Sequence, residues 1–158
     1  DEYDNLLVVR TFSKSRSMAG LRIGYAIGNE ELIKALNDVK YSYNSYTMNM
    51  AAIELGAAVL EDKEYFDTTV AKIVDTREAA KIRLKELGFT FPDSKTNFIF
   101  AKPSKITAKQ MFEELKKRNI YVRYFTGDRV KEHLRITIGT DEEMERFFEA
   151  VEEIQGEI

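Results

Sequence analysis

The chain has 158 residues, 44% of them hydrophobic, enough for a compact domain that buries most of its apolar surface. Lys and Arg number 24 against 27 Asp and Glu, a formal net charge of −3, so the basic excess that a nucleic-acid binder needs is missing. There is no cysteine and one histidine, His133, which excludes a disulfide scaffold and Cys-ligated metal centres and makes a multi-histidine metal site or a Ser/His/Asp triad hard to assemble.

No apolar run approaches the roughly 20 residues of a membrane span, and no signal-peptide pattern is present, so a cytoplasmic protein without membrane or nucleic-acid partners is expected. The chain opens on Asp1 rather than Met, directly before a strongly apolar run, and is expected to be a piece of a longer polypeptide.

In chain order, Leu6-Leu7-Val8-Val9 reads as a strand buried on both faces, and Leu21 to Ile27 as a second strand. Asn29 caps a predicted helix with Glu30 and Glu31 in its first turn and Leu32, Ile33, Leu36 and Val39 facing inward. The aromatic segment Tyr41-Ser42-Tyr43-Asn44-Ser45-Tyr46 is expected to break that helix. Met48 to Leu87 is helix-compatible, with one stripe of Ala51, Ala52, Leu55, Ala58 and Val59. A second stripe holds Phe66, Val70, Ile73, Arg77, Ala80, Leu84 and Leu87. Asp62 is the break between two helices, and Gly88 the C-terminal stop.

From Phe89 the rhythm becomes strand–helix–strand. Asn97–Ala101, Ile120–Tyr124 and Leu134–Ile138 are predicted strands. Thr107 with Gln110 and Thr140 with Glu143 form capping boxes that open two helices. In the last strand Leu134, Ile136 and Ile138 share one face, which leaves Arg135 and Thr137 on the other.

The chemically informative stretch runs from Thr11 to Tyr25. Lys14 follows a strand directly, where ligands of α/β sheets gather. Thr11, Ser13, Ser15 and Arg22 surround it in sequence with donors suited to a phosphate. Gly20 and Gly24 permit close approach to the backbone. An amine beside cations and partly desolvated loses its proton more readily and can attack a carbonyl. Amine plus phosphate cradle is what pyridoxal 5'-phosphate requires. A phosphate-binding P-loop fits less well, because no Gly-Lys-Ser/Thr occurs. Taken alone, a loop lysine is more often simply solvated, and Arg135 taken alone serves equally well in a salt bridge.

Thr-Phe-Ser-Lys-Ser followed by Ala-Gly-Leu-Arg-Ile-Gly-Tyr, with Lys14 and Arg22 eight residues apart, resembles the cofactor-lysine segment of class I/II pyridoxal-phosphate aminotransferases. More narrowly, the whole chain resembles the histidinol-phosphate aminotransferases. This rests on Tyr43-Asn44, Thr96-Asn97-Phe98, Ile120-Tyr121-Val122-Arg123 and His133-Leu134-Arg135-Ile136-Thr137-Ile138-Gly139-Thr140. Ser15-Arg16-Ser17 departs from the aliphatic or aromatic residues usual at these places, and the family's prolines before Tyr43 are absent.

The resemblance implies an α/β fold that is the C-terminal part of a fold-type I pyridoxal-phosphate-dependent transferase. Residues 1–46 would end the large cofactor domain, 47–88 would be linking helices, and 89–158 a small C-terminal α/β domain. Lys14 is implied as the catalytic residue that bonds the cofactor and moves a proton, with Thr11, Ser13 and Arg22 on the cofactor phosphate. Arg135 is implied on the substrate anion, assisted by Arg123, with Tyr43 and Asn44 also lining the substrate.

The implied activity moves an amino group between L-histidinol phosphate and 2-oxoglutarate, in a homodimer. Upstream residues of the family supply the partner of the pyridine nitrogen and further cofactor contacts, so this stretch alone is expected to give no turnover. The alternatives are another class I/II aminotransferase, a related amino-acid-phosphate decarboxylase, or a non-enzymatic module with this fold. His133 is expected to be a packing or solvated residue.

Overall fold

The computed structural model describes residues 3–157. The chain divides into two compact units, Asp1–Thr68 and Thr69–Ile158.

In the first unit, β1 (Leu7–Thr11) pairs antiparallel with β2 (Gly24–Gly28), Leu7 opposite Gly28 and Thr11 opposite Gly24. α1 (Glu30–Tyr43) follows, capped by the Asn29 side chain, which accepts from Glu31 N at 2.8 Å. α2 (Met50–Glu61) is capped by Asn49, and Asp62 ends it and leads into α3 (Lys63–Glu86). A small core joins Phe12, Ile23 and Ala52, with Met18, Leu21 and Val59 packed against it. Gly56 allows this packing, since a Cβ there would stand 3.0 Å from Ile23 Cδ1.

Four expectations change here. The Leu6–Val9 run is not buried on both faces: among the described residues β1 pairs only with β2, and Val9 is 64% exposed because no layer covers it. The second strand begins at Gly24, not Leu21, because Ala19–Leu21 forms a short 3-10 turn and Arg22 takes a left-handed conformation that cannot continue an extended chain. The aromatic segment does not interrupt α1, which runs through Tyr41 to Tyr43. Ser42 Oγ donates back to Asp38 O at 2.7 Å within the helix. The apolar stripes are also mostly uncovered: Leu32 and Ile33 are half-buried, Leu36, Val39 and Leu55 are exposed, and Ala52 is buried.

The second unit holds most of α3 and a three-stranded antiparallel sheet in the order β3 (Phe98–Ala101), β5 (Leu134–Thr137), β4 (Arg123–Tyr124). α4 (Ala108–Lys117) and α5 (Asp141–Gly156) open with the two capping boxes read from the sequence. Ile99, Ala101, Leu134 and Ile136 from the sheet meet Leu84, Met111, Leu115, Phe147, Phe148, Val151 and Ile154 from the helices in one core.

The strand expected over Ile120–Tyr124 is only Arg123–Tyr124. Ile120 is committed to closing α4, where its N–H donates to Leu115 O at 2.9 Å past a left-handed Asn119. Two cations are buried beside this core. Arg77 Nη1 donates to Thr96 O at 3.1 Å, and Lys81 Nζ binds Asp93 at 2.6 Å and Glu78 at 2.9 Å. No helix among the described residues is long and apolar enough to cross a membrane.

Candidate functional site

The Lys14 turn is built on the end of the β1–β2 ribbon. Phe12 N donates to Ile23 O at 3.1 Å, which extends the ladder one pair beyond Thr11–Gly24. The ladder stops there, because Arg22 is left-handed, and Ser13 and Arg22 follow and precede its last pair. The chain then curls: Phe12 O accepts from both Arg16 N (3.2 Å) and Met18 N (3.1 Å), and Ser17 N donates to Lys14 O at 3.2 Å. Ser17 is left-handed at φ 56°, and Arg22 at φ 57° turns its guanidinium back to donate to Ala19 O at 2.7 Å.

Thr11, Ser13, Lys14 and Arg22 are thus gathered at one end of one hairpin. Among the described residues the side chains of Thr11, Ser13 and Lys14 make no hydrogen bond, and no carboxylate pairs with Lys14 or Arg22. The expectation of a partly desolvated lysine is not met within this unit, where Lys14 is exposed because the ribbon has no layer above its end. Of the two glycines, Gly24 lies against the neighbouring strand, where a Cβ would stand 3.0 Å from Arg10 O, whereas Gly20 borders open space.

Tyr43 and Asn44 are placed at the end of α1. Tyr43 is its last residue and exposed; Asn44 N caps the helix by donating to Lys40 O at 2.8 Å, and its side chain accepts from Tyr46 N at 3.1 Å. Among the described residues no hydrogen bond joins either to the Lys14 turn.

In the second unit, Arg123 and Arg135 are direct cross-strand partners on β4 and β5 and therefore share a face. Like charges so placed repel, yet neither has a carboxylate partner among the described residues. Aromatic rings hold them instead. The Arg135 guanidinium lies 5.4 Å from the Phe98 ring centre and 5.8 Å from that of Phe125, and Arg123 lies 5.5 Å from Phe125. Arg135 Nε is buried without a hydrogen-bond partner. A buried unpaired donor on a cation is costly and is relieved by an arriving anion. Phe125, shared by both arginines, follows β4 directly, and its nearness in sequence to Arg123 is the one signal that the chain offers for it. His133 is a packing residue, stacked on Phe100 at 4.6 Å and 8° between planes.

Residues 1–151 match the model of the aminotransferase class I and II family. The chain is 54% identical over 153 residues to histidinol-phosphate aminotransferase of Brachyspira hyodysenteriae, covering 97% of this chain and 43% of that protein. It is 50% identical over 152 residues to the enzyme of that name from Clostridium acetobutylicum, covering 96% and 43%. Among solved structures, histidinol-phosphate aminotransferase from Sinorhizobium meliloti in complex with pyridoxal-5'-phosphate superposes with a TM-score of 0.84 at 25% identity, over 98% of this chain and 42% of that one. The chain therefore spans about 43% of the length of the curated relatives it matches. Its α/β fold is that of the C-terminal part of a fold-type I transferase. With the Lys14 hairpin and the paired arginines lying inside the matched stretch, the chain belongs to the class I and II aminotransferases.

Proposed function

We propose that the polypeptide carrying this sequence is a pyridoxal 5'-phosphate-dependent aminotransferase that moves an amino group between L-histidinol phosphate and 2-oxoglutarate, acting in histidine biosynthesis as a cytoplasmic homodimer. In this reading residues 1–46 end the large cofactor domain, 47–88 link, and 89–158 form the small domain. The observation that carries the reading is the donor set on the hairpin end: an unpaired amine on Lys14 beside the hydroxyls of Ser13 and Thr11 and the guanidinium of Arg22, with no competing carboxylate among the described residues. That set fits pyridoxal phosphate, which presents a carbonyl to an amine and a dianion to donors.

When bound, the cofactor supplies an aldehyde that captures amines and a ring that draws electrons from the substrate α-carbon. Ser13, Thr11 and Arg22 would hold the phosphate end, beside the turn that carries Lys14. The Lys14 amine would serve as the base that takes the proton from the substrate α-carbon and, as its conjugate acid, the donor that gives it up again, so a single flexible group would do both. Arg135, with its unpaired Nε and planar fork, grips the anionic group of the substrate, and Arg123 adds the second positive charge that a dianion asks for. Tyr43 and Asn44 are assigned to the substrate side.

Borohydride reduction of the cofactor-loaded polypeptide, followed by peptide mapping, is expected to put the pyridoxyl label on Lys14. Lys14→Ala is expected to abolish transamination with an unchanged far-UV circular dichroism spectrum. A label on another lysine overturns the assignment. Profiling amino donors separates the proposed activity from its rivals: release of carbon dioxide from an amino-acid phosphate would replace it with a decarboxylase, and turnover of other donors alone would replace it with another aminotransferase.

A further inference from the structure

Lys14 is exposed and its side chain is unbonded among the described residues, so whatever fixes its amine in space must act through the backbone of its turn. That turn carries a left-handed serine, Ser17 at φ 56°. A non-glycine residue persists in that region only where its surroundings over-determine it.

The surroundings are supplied by Arg16. Its guanidinium lies over the Phe66 ring of α3, 3.9 Å from the ring centre. Its Nη1 donates to Val59 O, 43 residues away in sequence. Val59 belongs to the last turn of α2, where carbonyls have no partner within the helix and the helix end carries partial negative charge. The planar cation is therefore satisfied on its face by an aromatic ring and on its edge by a helix terminus. A lysine cannot supply both contacts together, and an apolar side chain supplies neither the charge nor the donor. Arg16 N also donates to Phe12 O, so the same residue closes the turn and fastens it.

We propose that Arg16 is a positioning residue for Lys14, clamping the 13–17 turn to the junction of α2 and α3 so that the Lys14 backbone is held from outside the turn. Its catalytic consequence rests on the reading that Lys14 carries the chemistry.

The test compares wild type with Arg16→Met, Arg16→Lys and Phe66→Leu. In this chain, Arg16→Met is expected to speed amide hydrogen exchange at Ser17 and Met18 by about tenfold or more, while Phe89 and Ile138 in the second unit keep their rates. Arg16→Lys should recover part of the protection, and Phe66→Leu should lose part of it.

In the cofactor-loaded polypeptide, Arg16→Met is expected to lower kcat by roughly tenfold to a hundredfold, the size of a small misplacement of a reacting group. KM for the amino donor should stay within about twofold. Unchanged exchange at Ser17 and Met18 overturns the proposal. So does an equal rise throughout the first unit, which would make Arg16 a fold residue, or a raised KM with kcat intact, which would place it on the substrate. If Lys14→Ala kept its transamination, the reading of Lys14 would fall, while the clamp would still be judged by amide exchange alone.

Discussion

At the scale of single residues, Arg77, Lys81 and Arg135 answer the burial of charge differently. Arg77 and Lys81 sit in the wall of the core with their charge met by Glu78, Asp93 and the Thr96 carbonyl. Arg135 has two rings near its guanidinium and, among the described residues, no carboxylate, and its Nε is left without a partner. The first arrangement is complete and structural; the second leaves one buried donor free.

Arg135→Lys is therefore expected to leave the fold intact and to weaken binding of the anionic substrate, because a compact ammonium cannot make two parallel bonds as a planar guanidinium does. The expected loss in apparent binding is roughly 1.5–3 kcal/mol, the size of a charge-assisted hydrogen bond. Steady-state kinetics with both amino donor and oxo acid measure it, and kinetics unchanged for both would make Arg135 a structural residue.

At the scale of elements, helix ends carry much of the specification. α3 stops because Gly88 turns left-handed at φ 81°, which lets Gly88 N donate to Lys85 O at 3.0 Å and Phe89 N to Leu84 O at 2.8 Å. Leu84 and Phe89, both buried, flank this closure. α4 repeats the motif with Asn119 at φ 59°, an L-residue that tolerates this conformation better than most. Gly88 has less freedom than Asn119, because a Cβ there would stand 2.6 Å from Ser104 Oγ. Gly88→Ala is expected to cost about 1–2 kcal/mol for the backbone alone. Urea denaturation followed by circular dichroism checks this, and a midpoint equal to wild type would show that the closure adapts.

At the scale of the whole molecule, the two units are unequally consolidated. The second has one continuous core and the first a small cluster around Phe12, Ile23 and Ala52. In the second unit, Lys81 binds Asp93 on the segment that leads into β3, and stability there is linked to pH. The Lys81 ammonium, assisted by Lys95, holds the Asp93 carboxyl at about 2, below its ordinary 3.8. Lys81 and then Arg77 lower Glu78 likewise.

A carboxyl with a folded value below its unfolded one adds stability above the unfolded value and loses it as pH falls toward the folded one. Wild type is therefore expected to lose this contribution as pH drops from about 4 to about 2. Asp93→Asn, which lacks the titrating group, is expected to be less stable than wild type at pH 7, with the gap closing across that window. Denaturation midpoints at several pH values measure it, and a gap independent of pH would mean that the Lys81–Asp93 pair contributes nothing through its charge.

By itself the sequence determined whatever depends on neighbours no more than eight residues apart. Thr107 with Gln110, Thr140 with Glu143, the stop at Gly88, the Asp62 break and the alternation that turns Arg135 away from Leu134 and Ile136 are all local geometry. The eight-residue spacing of Lys14 and Arg22 was legible as a family resemblance, and the pairing of β1 with β2 that puts both at the end of one hairpin was not. Only the tertiary structure decided what depends on a partner far along the chain. Whether Leu6–Val9 is buried rests on a covering layer that periodicity does not report. The pairing of Arg123 with Arg135 rests on the register of β4 against β5. The seat of Arg16 on Phe66 and Val59, and of Arg77 on Thr96, rests on packing between elements. Hydrophobic pattern and capping act along the chain, whereas burial, register and charge compensation act across it.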